Sequence, residues 1–299
     1  MKTIDFLDFM QLQVKHLHNS QRFGTAKNYE KTMRSFSTFL EKSTTNFSSM
    51  TDRLILDYDY YLIKKGLTRN SRSFYMRNLR SAYNKAVKQK IAKPTNLFID
   101  VYTGIDKTKK RAVDESIITR LYKIDLEDNS QIALARDIFI FSYCTRGMSF
   151  VDIAYLKKSD IIDGVIRYCR RKTGQMLSVK VESCVRYIIN RYMSNESEYV
   201  FPIITSADNS EAYKQYRSAI NVYNRMLKRL SKEIGYGNSL SSYTARHSWA
   251  TAARKHHIPI SVISAGMGHS SELTTQIYLK SIEDNEIDEA NAEIIKLLR

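Results

Sequence analysis

Apolar residues recur at three- and four-residue intervals through "TIDFLDFMQLQVKHL", "TAKNYEKTMRSFSTFLEKS", "TDRLILDYDYYLIKKG" and "SRSFYMRNLRSAYNKAVKQKI", with Gly, Ser, Thr or Asn between the segments. That spacing predicts four amphipathic helices, enough for a small helical bundle. In the fourth segment Met76, Leu79, Tyr83, Ala86 and Val87 fall on a packing face, and Ser73, Arg77, Arg80, Asn84 and Lys88 fall on another. Helical signals return in "DESIITRLYKI" and "SQIALARDIFIFSYCT", then give way to "SDIIDGVIRYCRRKTGQMLSVKVES". There an Asp-Gly and a Thr-Gly turn bracket alternating β-branched and polar residues, which predicts a short antiparallel meander with Lys172 at a hairpin tip. Helical spacing resumes in "EAYKQYRSAINVYNRMLKRLSKEIG" and continues to the end of the chain. The fold class expected is mainly α with a small antiparallel β-sheet.

Composition sharpens this picture. The chain has 299 residues, 43% of them hydrophobic, with only 3 Pro and 10 Gly. That length accommodates two domains of ordinary size, and the scarcity of helix breakers favours long helices. The basic, weakly apolar connector "IDKTKKRAVDESI" marks the boundary, giving domains 1–107 and 108–299. Three cysteines without CxxC spacing (Cys144, Cys169, Cys184) suggest neither a disulfide framework nor a zinc site. The N-terminal segment is too polar for a signal peptide and no apolar run is long enough to span a membrane, so a cytoplasmic location is expected.

Charge then points to a partner. Lys and Arg number 47 against 31 Asp and Glu, a net +16, and between Tyr60 and Ile99 the chain carries ten Lys or Arg and no acid. Such one-sidedness is the electrostatic footprint of a polyanion binder, with nucleic acid the leading partner. Lys64, Lys65, Arg69, Arg72, Arg77, Arg80 and Lys88, with Lys109, Lys110 and Arg111 in the connector, are the candidate DNA contacts.

Four scattered stretches carry the candidate chemistry: "CTRGMSFVDIAYLKKSDI" with Arg146, "RRKTGQ" with Lys172, "SYTARHSWAT" with Arg246, and "GMGHSSELTTQIYL" with His269 and Tyr278. Singly, each has an ordinary reading as a surface ion pair, a solvated turn residue or a half-buried aromatic. In this order and spacing they resemble the tyrosine recombinases, the phage-integrase and Xer-like enzymes that break and rejoin DNA. The resemblance spans nearly the whole chain and implies an N-terminal helical, SAM-like core-binding domain and a C-terminal mixed α+β catalytic domain that together clamp a duplex.

By that resemblance Arg146 and Arg246 are the two conserved-type arginines, Lys172 the hairpin lysine, His269 the later histidine and Tyr278 the nucleophile; nine residues from His269 to Tyr278 is the family's spacing. The chemistry suits these residue types. Two guanidiniums can donate paired hydrogen bonds to the non-bridging oxygens of a phosphodiester as charge develops there. A lysine flanked by Arg170 and Arg171 can protonate the leaving 5′ oxygen, and attack by tyrosine stores the bond as a 3′-phosphotyrosine. No metal and no cofactor is required. The helical spacing of the tail residues Ile287, Ala290, Ile294 and Leu298 suits folding back on their own domain; the resemblance implies instead a homo-tetramer on two recombination sites, with this tail docking on a neighbouring protomer.

Two departures stand out. Where the family has a histidine three residues before the second arginine, this chain has Tyr243, whose phenol is a poor base at neutral pH. Ser149 stands where a glutamate is common after the first arginine; Asp152, three residues on, either orients Arg146 or is a surface carboxylate. Two alternatives therefore accompany the recombinase reading: a DNA-binding regulator impaired by the loss at position 243, and a type IB topoisomerase-like enzyme. Trp249, the only tryptophan, is read as core packing.

Overall fold

The computed structural model describes residues 4–41, 44–106, 111–269, 271–276, 279, 291–292 and 294–296. The chain divides into two compact units, residues 1–108 and 109–299.

The first unit is built from α1 (Phe6–Asn19), α2 (Phe23–Phe39), α3 (Asp52–Lys64) and α4 (Arg69–Lys88). Polar residues start three of the four, each accepting from an otherwise orphaned first-turn N–H: Asp5 from Leu7 at 2.7 Å, Thr51 from Leu54 at 3.1 Å and Thr68 from Ser71 at 3.4 Å. The apolar stripes of all four converge on one core in which Phe6, Met10, Phe36, Ile55, Tyr58, Met76 and Leu79 are buried. Phe6 and Phe36 meet edge to face with centroids 6.1 Å apart. Ser73 departs from its expected outer face: it is fully buried, and its hydroxyl is satisfied by the Gly104 carbonyl at 2.6 Å. A short polar side chain goes inside when a carbonyl is there to accept from it.

In the second unit α6 (Gln131–Cys144) follows α5 (Glu115–Lys123) and is the central helix, packed by α5, α8 (Ser183–Tyr192), α9 (Asn209–Glu233) and α10 (Thr244–Lys255). It is apolar around most of its circumference, with Ala133, Ala135, Ile138, Phe139, Ile140 and Phe141 all buried, as a helix surrounded by others must be. Its one buried acid, Asp137, is answered by Arg136 and by the Tyr192 hydroxyl at 2.7 Å. After α7 (Phe150–Ala154), β1 (Ile161–Ile162), β2 (Val165–Cys169) and β3 (Met176–Lys180) form an antiparallel sheet in the order β1-β2-β3. Asp163 and Gly164, both with positive φ (51° and 72°), close the first hairpin in two residues. Along β2, Ile166 and Tyr168 point inward while Arg167 and Cys169 are exposed. The sheet thus lays the 170–175 turn against Gly268, which ends α11 (Ile260–Met267).

The architecture is mainly helical with one small antiparallel sheet, as the periodicity predicts. Among the described residues no helix is long and apolar enough to cross a membrane.

Candidate functional site

Arg246 lies in the first turn of α10, just after Ser241 and Thr244 have tied off the helix start by a 3.0 Å backbone-to-hydroxyl bond. It is 3% exposed, and its guanidinium donates to the Gly147 carbonyl and to the Met267 carbonyl, both at 2.7 Å. Met267 is the last residue of α11, where the helix dipole places partial negative charge, so that carbonyl is a suitable seat for a buried cation. The same guanidinium donates through Nη2 to His269 Nε2 at 2.9 Å. Arginine has no acceptor, so the His269 proton sits on Nδ1, which donates to Thr275 Oγ1 at 2.8 Å. Burial, then the charges of Arg246, Arg170 and Lys172, pull the His269 pKa down to about 4. The imidazole is neutral at physiological pH.

Arg146 follows α6 in the left-handed region (φ 60°), with Gly147 also positive at 74°. The tight bend is held by the Gly147 N–H on the Ser142 carbonyl at 2.8 Å and by the Ser142 hydroxyl on the Met148 carbonyl at 2.7 Å. Glycine at 147 is forced twice over: by its φ, and because a Cβ there would stand 2.8 Å from the Arg246 Cα. Arg146 reaches across to donate to the Ser178 carbonyl on β3 at 3.3 Å. Beneath the site lies Tyr168, whose phenol burial pushes above its usual pKa; Asp152 adds to the rise, while Arg246, Arg170 and Arg146 oppose it. One phenol therefore has three guanidiniums around it.

Lys172 is exposed in the turn between β2 and β3. Arg170 closes that turn by donating its N–H to the Gln175 carbonyl and accepting from Gly174, each at 2.8 Å. Asp152 proves to be neither of the two things expected of it. It is 4% exposed, accepts from Ser149 Oγ at 2.6 Å, and holds the Arg171 N–H at 2.9 Å, so it fastens the lysine turn. Arg171 lies flat over the Tyr155 ring, 3.7 Å from its centre.

The structure therefore brings Arg146, Lys172, Arg246 and His269 into one neighbourhood. Tyr243 caps the start of α10 with its side chain 48% exposed, its carbonyl accepting the His247 N–H at 3.1 Å. Tyr278 lies outside the described residues. Leu279 is buried against Ala250, Ile263 and Met267, with Trp249 packed on the same cluster. Sequence reasoning named Arg170 and Asp152 but not the contacts they make here, and it did not single out Thr275 or Gly147. Of these last two only Gly147, next to a motif arginine, carried any local signal.

The basic residues of the first unit divide by how far they are committed. Arg72 pairs with Asp59 at 2.7 Å with both side chains largely covered, and burial holds the Asp59 carboxyl above its usual pKa although Arg72 opposes the shift. Arg69 stacks on Tyr102 at 3.8 Å and pairs with Asp106 at 3.4 Å; Arg80 donates to Thr103 Oγ1 at 2.9 Å, and Arg77 to its own helix at the Ser73 carbonyl at 3.3 Å. Lys65 stands over the Tyr61 ring. Lys64, Lys88 and, in the second unit, Arg111 are exposed; Lys109 and Lys110 lie outside the described residues, as do Ile287, Ala290 and Leu298 of the tail, whereas Ile294 is 68% exposed.

Comparison with known proteins agrees across both units. Residues 5–98 match the phage integrase SAM-like domain, and residues 111–284 match the phage integrase family. Tyrosine recombinase XerD of Staphylococcus epidermidis is 23% identical over 288 residues, covering 93% of this chain and 94% of that protein. Tyrosine recombinase XerC of Halalkalibacterium halodurans is 22% identical over 289 residues, covering 93% and 92%. Among solved structures, the Tn1549 transposon integrase in complex with a circular intermediate DNA superposes with a TM-score of 0.69 at 16% identity, covering 98% of this chain and 99% of that one. A lambda integrase dimer bound to a COC′ core site gives 0.63 at 14% identity, covering 90% and 93%.

Proposed function

The chain belongs to the phage integrase family, the tyrosine recombinases, enzymes that cleave and rejoin DNA strands, and we propose that it is a site-specific recombinase working through a covalent 3′-phosphotyrosine at Tyr278. The observation that carries the reading is that Arg246 from α10 hydrogen-bonds His269 while the charge of Lys172, from the β2–β3 turn 97 positions away in sequence (172 to 269), acts on the same ring.

In this reading Arg146 and Arg246 donate to the non-bridging oxygens of the scissile phosphate. The Tyr278 phenol gives up its proton to solvent as its oxygen forms a bond to phosphorus, the bond to the 5′ oxygen breaks, and Lys172 supplies the proton that makes the leaving group a 5′-hydroxyl. Rejoining runs the same steps backwards onto a different 5′-hydroxyl, with no cofactor. His269 enters as a neutral ring whose Nε2 lone pair faces Arg246, so it helps to hold that guanidinium until phosphate arrives. Tyr243 occupies the position where relatives of this family carry a histidine, and its phenol can donate a hydrogen bond to phosphate but is a poor proton acceptor.

Binding is to double-stranded DNA in the cytoplasm, at the nucleoid, by a homo-tetramer spanning two sites with the tail helix coupling its protomers. The net charge of +16 supports the partner, and the exposed Lys64, Lys88 and Arg80 are suited to backbone contacts that set register rather than read bases. One observation favours a second reading: with Tyr243 in place of histidine, the chain could bind sites and never cut them, acting as a regulator.

Nicked suicide duplexes taken from DNA flanking the gene separate the two. The recombinase reading expects an SDS-resistant protein–DNA adduct with the wild type and none with Tyr278→Phe. Tight binding by the wild type with no adduct on any duplex would establish the regulator instead.

A further inference from the structure

The β2–β3 turn is held more firmly than an exposed turn requires. Lys172 at its apex is exposed, and a free lysine side chain samples many rotamers. A general acid has to sit within hydrogen-bond reach of the oxygen it protonates. For a lysine on a six-residue connection, that placement has to come from the turn's own anchors.

Two anchors lie on the α7 side: Asp152 holds the Arg171 N–H, and the Arg171 guanidinium rests on Tyr155. The third is Arg170, on the opposite side. It is 6% exposed, crosses from the turn to the loop after α11, and donates through Nη1 to the Gly268 carbonyl. Gly268 is in the left-handed region (φ 63°), and a Cβ there would stand 3.0 Å from Arg170 Cδ, 2.9 Å from Leu177 Cδ1 and 3.2 Å from Gln175 Oε1. The hairpin therefore packs directly against Gly268. Among the described residues Arg170 Nε is buried without a hydrogen-bond partner, a position that costs stability. The backbone of the same residue closes the turn, donating to Gln175 and accepting from Thr173 and Gly174.

We propose that Arg170 is a positioning residue: it ties the β2–β3 turn to the Gly268–His269 loop, so that Lys172 and His269 address the same phosphate. The proposal rests on the reading of Lys172 as the general acid. A guanidinium suits the task because it spans from strand end to helix end and stays charged, which matches the partial negative charge at the C-terminus of α11.

The test is single-turnover cleavage by wild type, Lys172→Ala and Arg170→Met on two versions of the suicide duplex that gives the wild-type adduct. One is ordinary DNA; in the other the bridging 5′ oxygen at the scissile phosphate is replaced by sulfur. Attack then breaks the phosphorus–sulfur bond and sulfur departs as a thiolate, which needs no proton. Both variants are expected to lose about 10²-fold or more on the oxygen substrate and to recover to near wild-type rate on the sulfur substrate. Recovery of Lys172→Ala without recovery of Arg170→Met would mean that Arg170 acts on the phosphate or the fold, and would overturn the proposal alone. Failure of Lys172→Ala to recover would remove the general-acid reading and the proposal together. Melting curves and duplex affinity check the fold; if Arg170→Met does not fold, Arg170→Gln, which keeps a donor and loses the charge, carries the same comparison.

Discussion

Replacing Gly147 by alanine asks how closely the α6–α7 bend and the second arginine are fitted. A Cβ at 147 would lie 2.7 Å from Arg246 Cγ, 2.8 Å from its Cα and 2.9 Å from its Cβ. Carbon atoms pack at about 3.5–4.0 Å, so relief requires a displacement of roughly 1 Å, and the Cα cannot move without α10. Alanine at φ 74° also bears a left-handed penalty of about 1–2 kcal/mol, and overpacking a tight contact costs about 1–3 kcal/mol more. Together these predict a loss of about 2–5 kcal/mol. The Gly147 carbonyl is itself a partner of Arg246, so the guanidinium moves with the bend. A misplacement of about 1 Å in a reacting array lowers rate by about 10²-fold. Thermal or denaturant unfolding gives the first number, and single-turnover cleavage of a suicide duplex, with duplex affinity as control, gives the second. A Gly147→Ala protein that melts with wild type and cleaves within threefold of it would refute the reasoning.

Other outcomes follow from the same geometry. The His269 pKa, about 4 in the fold against 6.5 unperturbed, means that the neutral ring is favoured by folding: its contribution is full above pH 6.5 and is lost as pH falls toward 4. Discounted for a half-exposed ring, this is about 1–2 kcal/mol, and His269→Gln should flatten that part of the stability–pH curve; an unchanged curve would contradict it. Tyr243→Phe should weaken cleavage without abolishing it, since its side chain is 48% exposed; complete loss with intact binding would make the phenol essential. Arg80→Ala and Lys88→Ala should each lower the slope of log affinity against log salt by about 0.9 and spare site preference, as read by filter binding or anisotropy. Truncation after Ser281 should leave duplex binding intact and reduce recombination between two sites; unimpaired recombination would end the idea of a coupling tail.

Helices of the first unit were legible because three of the four advertise themselves twice, by an apolar stripe and by a polar cap at Asp5, Thr51 or Thr68. The Asp163–Gly164 turn made the sheet readable for a similar local reason. Arg146, Lys172, Arg246 and His269 came from order and spacing, and the fold gathers them. The supports of the site were hidden because they are tertiary: Arg170 meets a carbonyl 98 residues away, and Asp152 meets an amide 19 residues away. No period or motif encodes such a pairing. Ser73 was misjudged for the same reason, its polarity being answered by Gly104, 31 residues on.

Trp249 packs its ring edge on Gly266, within 3.2 Å of where a Cβ would be, and the Arg146 Cδ lies 3.5 Å from the same point. It is the only indole among twenty tyrosines and twelve phenylalanines. The molecule thus carries a native fluorophore, excitable selectively at the red edge of its absorption, one turn of α10 beyond Arg246. Emission from the unlabelled protein reports on this corner, so the proposed binding of a phosphate between Arg146 and Arg246 can be followed in stopped flow, in real time, without attaching a dye.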